Sequence, residues 1–226
     1  MNAPRLGLSF LLISLPLGQG PSPPPPVRSG SVTGEVVDFA CRLFPRRGDH
    51  ACSSECLKGG VLPGVFDEGT GKAFLAFAQD RTPAGAALAP LAGKRAHPTG
   101  KIHEGKGIRA IVCDGVGKAD GERPASAPAP PSLDPPREIT LLASVVNVLD
   151  QVEASAKGTK HACTARCLEG GGLYGLLDLE TGRLYGALAP ERKSARSLLE
   201  PFAGLKARVS GRVVLNVVEV LRVVKA

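Results

Sequence analysis

Two stretches of the chain begin with a run of β-branched residues and continue with the same succession of hydrophobic and polar patterns. Residues 32–39 and 139–149 have the composition of β-strands. Each is followed by a Cys/His segment, a hairpin, a short helix and two closing strands that end near Cys113 and Val224. The hairpin strands are predicted at 61–66, 72–78, 173–179 and 183–189, and the helices at 86–92 and 194–203.

Five strands with a helix between the third and the fourth are the element order of an OB-like barrel. The pattern therefore predicts a mainly β protein with short helices, built as two tandem OB-like five-stranded barrels joined by a Pro-rich linker. A small five-stranded sandwich is the competing interpretation. The two units are expected to fold independently, because the linker composition offers little apolar surface to bury.

The composition along the chain predicts an exported protein. Arg5 precedes an apolar stretch, Leu6 to Leu17, that is too short to span a bilayer comfortably. No later segment is apolar enough to span a membrane, so the mature chain is expected in the periplasm or outside the cell. The predicted boundaries are a signal peptide at 1–20, a Pro-rich spacer at 21–30, repeat A at 31–116, a Pro/Ala-rich linker at 117–137 and repeat B at 138–226.

Charge and composition narrow the functional classes. The net charge is +7, but there is no Trp and only two Tyr and seven Phe, so the stacking side chains of a nucleic-acid-binding barrel are scarce. A phosphate-binding loop, a dinucleotide fingerprint and a Gly-x-Ser-x-Gly elbow do not occur. The sequence favours binding over catalysis, with an unidentified protein or a cell-envelope component as partner.

A Cys/His motif occurs twice at a constant offset of 111 residues. His50, Cys52 and Cys56 precede a Gly pair, and His161, Cys163 and Cys167 do the same. In each unit the motif lies in the connection between the first two strands, which is a binding loop in OB-folds. A short helix is expected there, capped by Asp49 or Thr159.

Four side chains of the first copy form a plausible tetrahedral set. Cys52 and Cys56 lie about one helical turn apart, and His50 stands where the chain enters the helix. Cys41 is expected to end the preceding strand and to fold back over the same point. Three thiolates and an imidazole suit zinc or copper(I). The candidate metal ligands are therefore Cys41, His50, Cys52, Cys56, His161, Cys163 and Cys167.

Disulfide bonding is the alternative use of the same cysteines. Their number is even, and disulfides persist in exported proteins. Cys41 would pair with Cys52 or Cys56, Cys113 would take the remaining thiol, and Cys163 would pair with Cys167. The protein would then be a disulfide-braced interaction module without a metal. Thiol redox catalysis is disfavoured, because the spacing is not Cys-x-x-Cys.

The two copies are not equivalent. Aligning the first strands at an offset of 109 places Asp150 opposite Cys41. A carboxylate is a harder ligand than a thiolate, so the second copy is expected to bind a thiophilic metal more weakly. His97 and His103 have no histidine counterpart in the second copy and are predicted to be surface residues.

The first unit resembles uncharacterised secreted bacterial proteins with OB-like barrels. The resemblance is carried by Gly34-Glu35-Val36-Val37-Asp38, by the Cys/His motif and by its closing Gly59-Gly60. It covers 33–112 well and 139–224 more loosely. It implies the fold and the compartment. The sequence as a whole predicts an exported, non-enzymatic zinc or copper protein with a Cys3His site in repeat A and a weaker site in repeat B.

Overall fold

The computed structural model describes residues 27–44, 54–59, 62–121, 134–162, 166–169 and 171–226. The predicted signal peptide and most of the predicted linker lie outside these residues. The first unit contains β1 (Arg28–Ser31), β2 (Gly34–Asp38), α1 (Phe39–Leu43), α2 (Ser54–Gly59), β3 (Pro63–Asp67), β4 (Ala73–Phe77), α3 (Gly85–Leu88), β5 (Arg95–Gly105) and β6 (Ile108–Lys118). The second contains β7 (Arg137–Asn147), α4 (Val148–Ala156), α5 (Arg166–Glu169), β8 (Tyr174–Asp178), β9 (Leu184–Ala189), β10 (Lys193–Ser194), α6 (Arg196–Leu199), β11 (Lys206–Val214) and β12 (Val217–Lys225).

The second sheet closes into a five-stranded mixed barrel. Strand β7 pairs with β8 and β11, β8 with β9, and β11 with β12, all antiparallel. The ring is completed by a parallel pairing of β12 with β9. The first sheet is ring-like in the order β5-β2-β3-β4-β6, with β6 returning to β5 and a parallel β4–β6 pair. The mainly β prediction is confirmed, as is a closed five-stranded barrel in the second unit.

Corresponding strands of the two units kink at corresponding glycines. The register of β5 against β6 shifts between Thr99 and Gly100, and that of β11 against β12 shifts between Ser210 and Gly211. A Cβ atom at Gly100 would lie 2.0 Å from a backbone oxygen, and one at Gly211 would lie 2.2 Å from another. Glycine is therefore required at each bulge, where the strand bends around its ring.

The first long strand of each unit ends in a helix that begins at a polar cap. Asp38 accepts a hydrogen bond from Ala40 N at 2.8 Å and starts α1, and Asn147 accepts one from Leu149 N at 3.0 Å and starts α4. The prediction that the strand continues to residue 149 is therefore wrong. The hydrophobic residues of α4 form a buried face, which includes Val148, Leu149 and Val152.

One hydrophobic core is shared by the two units. It joins side chains of α1, β3 and β4, such as Phe39, Phe66 and Phe77, to Leu149 and Val152 of α4. Phe39 and Phe66 pack edge to face with ring centroids 4.9 Å apart. Each unit also has a buried cluster of its own, around Val36 in the first and around Leu176 in the second. The shared cluster adds apolar surface that each unit removes from the water around the other, and independent folding of the units stays a prediction.

The turn between β5 and β6 docks onto the second unit through polar groups. Lys106 O accepts a hydrogen bond from Leu184 N at 3.0 Å, and Gly107 O accepts one from the side-chain amide of Asn216. Lys106 Nζ donates to Gln151 Oε1 at 3.2 Å. Burial lowers the pKa of the Lys106 ammonium. These bonds join the turn to β9, to α4 and to the connection between β11 and β12.

Leu149→Ala tests the shared core. Leu149 is fully buried, so truncation should lower the free energy of unfolding by about 2–5 kcal/mol and leave one cooperative transition. Leu221→Ala, at a position 55% exposed, should change it by no more than about 0.5 kcal/mol. Guanidinium unfolding and hydrogen exchange of peptides from both units measure this. Faster exchange confined to the second unit would contradict a shared core.

Candidate metal centre

Helix α4 supplies the first group of the centre. Asp150 is the third residue of α4 after the cap Asn147, just as Cys41 is the third residue of α1 after the cap Asp38. The two helices therefore support the alignment of Asp150 with Cys41. Cys41 lies on a helix and does not end the preceding strand, which corrects the sequence-based expectation.

Asp150, His161 and Cys167 bring a carboxylate, an imidazole and a thiol together. His161 Nε2 lies 3.4 Å from Cys167 Sγ and 3.6 Å from Asp150 Oδ2. The three ligand atoms all lie within 4.8 Å of one another, and each residue is partly buried. They form a possible metal-binding group.

The spacing of these atoms fits a tetrahedral ion. Metal–nitrogen and metal–sulfur bonds of about 2.0 and 2.3 Å separate the two ligand atoms by roughly 3.5 Å, and nitrogen and oxygen ligands by roughly 3.4 Å. A Cys-His-Asp relay would instead place the thiol and the carboxylate against different ring nitrogens. Here both face Nε2 of His161, which favours ligation over nucleophilic catalysis.

Side chains of β7 and α4 hold the backbone of the other two ligand residues. The Gln151 amide, which is buried, donates to His161 O at 2.8 Å. The Asn147 amide donates to Cys167 O at 2.8 Å while its oxygen caps α4. A Cβ atom at Gly172 would lie 2.1 Å from the Asn147 amide nitrogen, so a larger residue there would displace the amide that holds Cys167 O. Such outer contacts orient metal ligands and conserve their geometry.

The structure brings together two of the seven predicted ligands. His161 and Cys167 meet, whereas His50, Cys52 and Cys163 lie outside the described residues. Cys41 and Cys56 are partly buried on α1 and α2. Asp150 was missed as a ligand, although the offset of 109 residues between it and Cys41 was the available signal.

Helix caps and one disulfide prediction also need correction. Thr159 does not cap the motif helix, because it donates through both N and Oγ1 to Ala154 O at the end of α4. Asp49 lies outside the described residues.

Cys113 is a buried free thiol whose pKa is raised to about 11, by burial first and then by the Asp114 carboxylate. The disulfide predicted for Cys113 is therefore not formed.

An ionic group from both units adjoins the centre. Arg81, in the turn after β4, donates through Nη2 to Asp150 Oδ1 and through Nη1 to both oxygens of Glu153 at 3.0 and 3.1 Å. Burial opposes the charge of Arg81, but the hydrogen bonds to the two carboxylates outweigh it and raise the pKa of the guanidinium. The sequence carried no signal for this contact.

His103 is buried beside this group, so its prediction as a surface residue is wrong. Its side chain has no hydrogen-bond partner among the described residues, and Glu153 Oε1 is 3.8 Å from Nε2. Burial is the main cause that lowers its pKa. Glu153 opposes that shift, whereas Lys157 at the end of α4, Arg81 and Lys101 add to it.

Asn147→Asp separates the two roles of Asn147. Aspartate retains the cap, as Asp38 shows in the first unit, but cannot donate to Cys167 O. The carboxylate would face that carbonyl, so we expect a loss of about 1–3 kcal/mol in the free energy of unfolding. Unchanged helical circular dichroism with faster hydrogen exchange around Cys167 is the expected result. Equal protection in the two proteins would contradict the proposed anchoring role.

His103→Leu tests whether the buried imidazole makes the free energy of unfolding depend on pH. The unfolded chain binds a proton at this histidine near its ordinary pKa of 6.5, whereas the folded protein resists protonation. The free energy of unfolding should therefore fall as pH drops below about 6.5. Denaturant unfolding between about pH 7.5 and 5.5 should show a smaller fall for His103→Leu than for the parent. An equal fall would contradict the assignment, and His97→Leu in the same strand is the matched control.

Comparisons with known proteins do not assign a function, so the functional inference rests on the geometry of the site. No protein-family model, no curated protein and no solved structure matches the chain. Among the residues that the structure describes, no helix combines the length and the apolar character needed to cross a bilayer. The convergence of Asp150, His161 and Cys167 is therefore the observation from which function is inferred.

Proposed function

We propose that this chain is an exported, non-enzymatic transition-metal-binding protein with a centre in each unit. The observation that carries the proposal is the approach of three different ligand atoms within 4.8 Å in the second unit. Carboxylate, imidazole and thiolate together are ligands of zinc, and the thiolate also attracts copper(I). Cys163, two residues after His161, is the fourth ligand in this proposal.

Both units are proposed to be OB-like barrels derived from one repeated unit. The strand order, with a parallel pair between the third and fifth strands of each ring, supports this. So do identical turns: Asp67 accepts from Gly69 N and Thr70 Oγ1, and Asp178 accepts from Glu180 N and Thr181 Oγ1. Relation to secreted bacterial proteins and a periplasmic or secreted location remain parts of the proposal.

The first unit is proposed to hold the tighter site. Cys41 occupies the helical position that Asp150 occupies in the second unit, and Cys56 corresponds to Cys167 at an offset of 111. With His50 and Cys52, the first unit offers three thiolates and one imidazole. A thiophilic ion binds a thiolate more strongly than a carboxylate, so the second site is the weaker one.

Metal analysis combined with thiol titration tests the proposed function. The reduced full chain should bind zinc under chelator competition, and Asp150→Asn should weaken the second site. In a Cys41→Ser, Cys56→Ser background, which isolates that site, Asp150→Cys should strengthen it. Cys113→Ala removes a buried thiol outside both sites and should change neither affinity.

The competing disulfide-braced module predicts a different result. Because Cys113 is a free thiol, two disulfides among the other five cysteines would leave two reactive thiols under denaturing conditions. The isolated protein would also hold no metal, and the reduced chain would bind none. That outcome would replace the metal proposal. Equal affinities with and without Asp150→Cys would remove Asp150 from the ligand set while leaving metal binding in place.

A further inference from the structure

We propose that Arg81 of the first unit is a positioning residue for the metal centre of the second unit. The inference rests on the proposed metal-binding function. It adds that the centre is completed only when the two units are docked, because the side chain that orients one of its ligands comes from the other unit.

Hydrogen bonds hold the backbone around Arg81, whose side chain reaches across the interface between the units. Arg81 has a left-handed conformation with φ 71°, which is uncommon outside glycine. The turn is held by Asp80 Oδ1, which accepts from Thr82 N at 3.0 Å and from Thr82 Oγ1 at 2.7 Å. Arg81 N also donates to Ala78 O at 2.9 Å. The guanidinium is therefore presented to α4 from a defined point.

Arg81 uses one oxygen of Asp150 and leaves the other for the centre. Nη2 donates to Oδ1, while Oδ2 lies 3.6 Å from His161 Nε2. A carboxylate fixed at one oxygen cannot rotate freely about its terminal bond. Arg81 thereby selects the orientation in which Oδ2 points toward His161 and Cys167.

Glu153 neutralises the positive charge of Arg81, which would otherwise repel a metal ion bound nearby. Both of its oxygens accept from Nη1 of Arg81, and its side chain is only 17% exposed. The Arg81 charge is therefore balanced within the interface by Glu153. The Asp150 carboxylate and the Cys167 thiolate remain to balance a divalent ion.

Lysine is not expected to replace Arg81. The guanidinium reaches two carboxylates through two separate nitrogens, whereas an ammonium is a single point of charge. Removal of Glu153 should also weaken metal binding, because the guanidinium charge would then be uncompensated next to the ion. These expectations differ from those of a simple ion pair that only joins the units.

The test is zinc affinity measured with a competing chelator on the reduced full chain carrying Cys41→Ser and Cys56→Ser. Arg81→Ala should weaken zinc binding about 10- to 100-fold, the usual effect of losing an outer partner of a ligand. Arg81→Lys should not restore it, and Glu153→Gln should weaken it as well. Arg196→Ala, which removes an arginine paired with Glu200, should leave zinc affinity unchanged.

A double-mutant cycle separates positioning from general stability. In an Asp150→Asn background, Arg81→Ala should cause little further loss of zinc affinity, because the residue acts through that carboxylate. An undiminished loss in this background would overturn the positioning role, as would parent-like affinity in Arg81→Ala. If the parent binds no zinc, the metal proposal falls and this inference falls with it.

Discussion

The burial of helix α4 between the two units is the constraint on which the centre depends. Val148, Leu149 and Val152 lie in the shared core, so the helix is held by apolar contacts on one side. On the helix, Asp150 accepts from Arg81 and Gln151 donates to His161 O, so both side chains are held at defined positions. Asn147 adds a cap that also binds the loop of Cys167. The apolar packing of α4 therefore determines where the ligand and anchoring side chains of the centre lie.

Charge at the interface follows from the same arrangement. Arg81, Asp150 and Glu153 are removed partly from water when the units dock, which costs free energy unless the charges are paired and hydrogen-bonded. The guanidinium donates to both carboxylates, and the one negative charge that remains on the group is available to the centre through Asp150. His103 lies at its edge, where burial lowers the pKa of its imidazole. The interface is therefore polar at one side and apolar in the middle.

The two units use one architecture with different ligand chemistry. Helix α1 ends at Leu43, two residues before Pro45, whereas α4 continues to Ala156. A proline lacks the backbone donor that a helix interior requires, so Pro45 disfavours a longer α1. The longer α4 provides the extra turn that carries Glu153, whereas Gln151 occupies the helical position of Arg42 in α1. The second centre consequently has anchoring side chains that the first unit lacks at the same positions.

The sequence by itself determined the local elements and the correspondence between the units. The predicted hairpin at 61–66 and 72–78 is found as β3 and β4, because alternation and Gly-rich turns act over a few residues. The placement of Asp150 opposite Cys41 was likewise available from strand alignment. The hydrophobic residues Val148 and Leu149 continue the strand pattern of β7, so the pattern placed them in the strand, whereas in the structure the side chain of Asn147 caps α4 just before them. Tertiary structure alone decided the contacts of Arg81, because residues 69 and 72 positions apart meet only when the two units pack together.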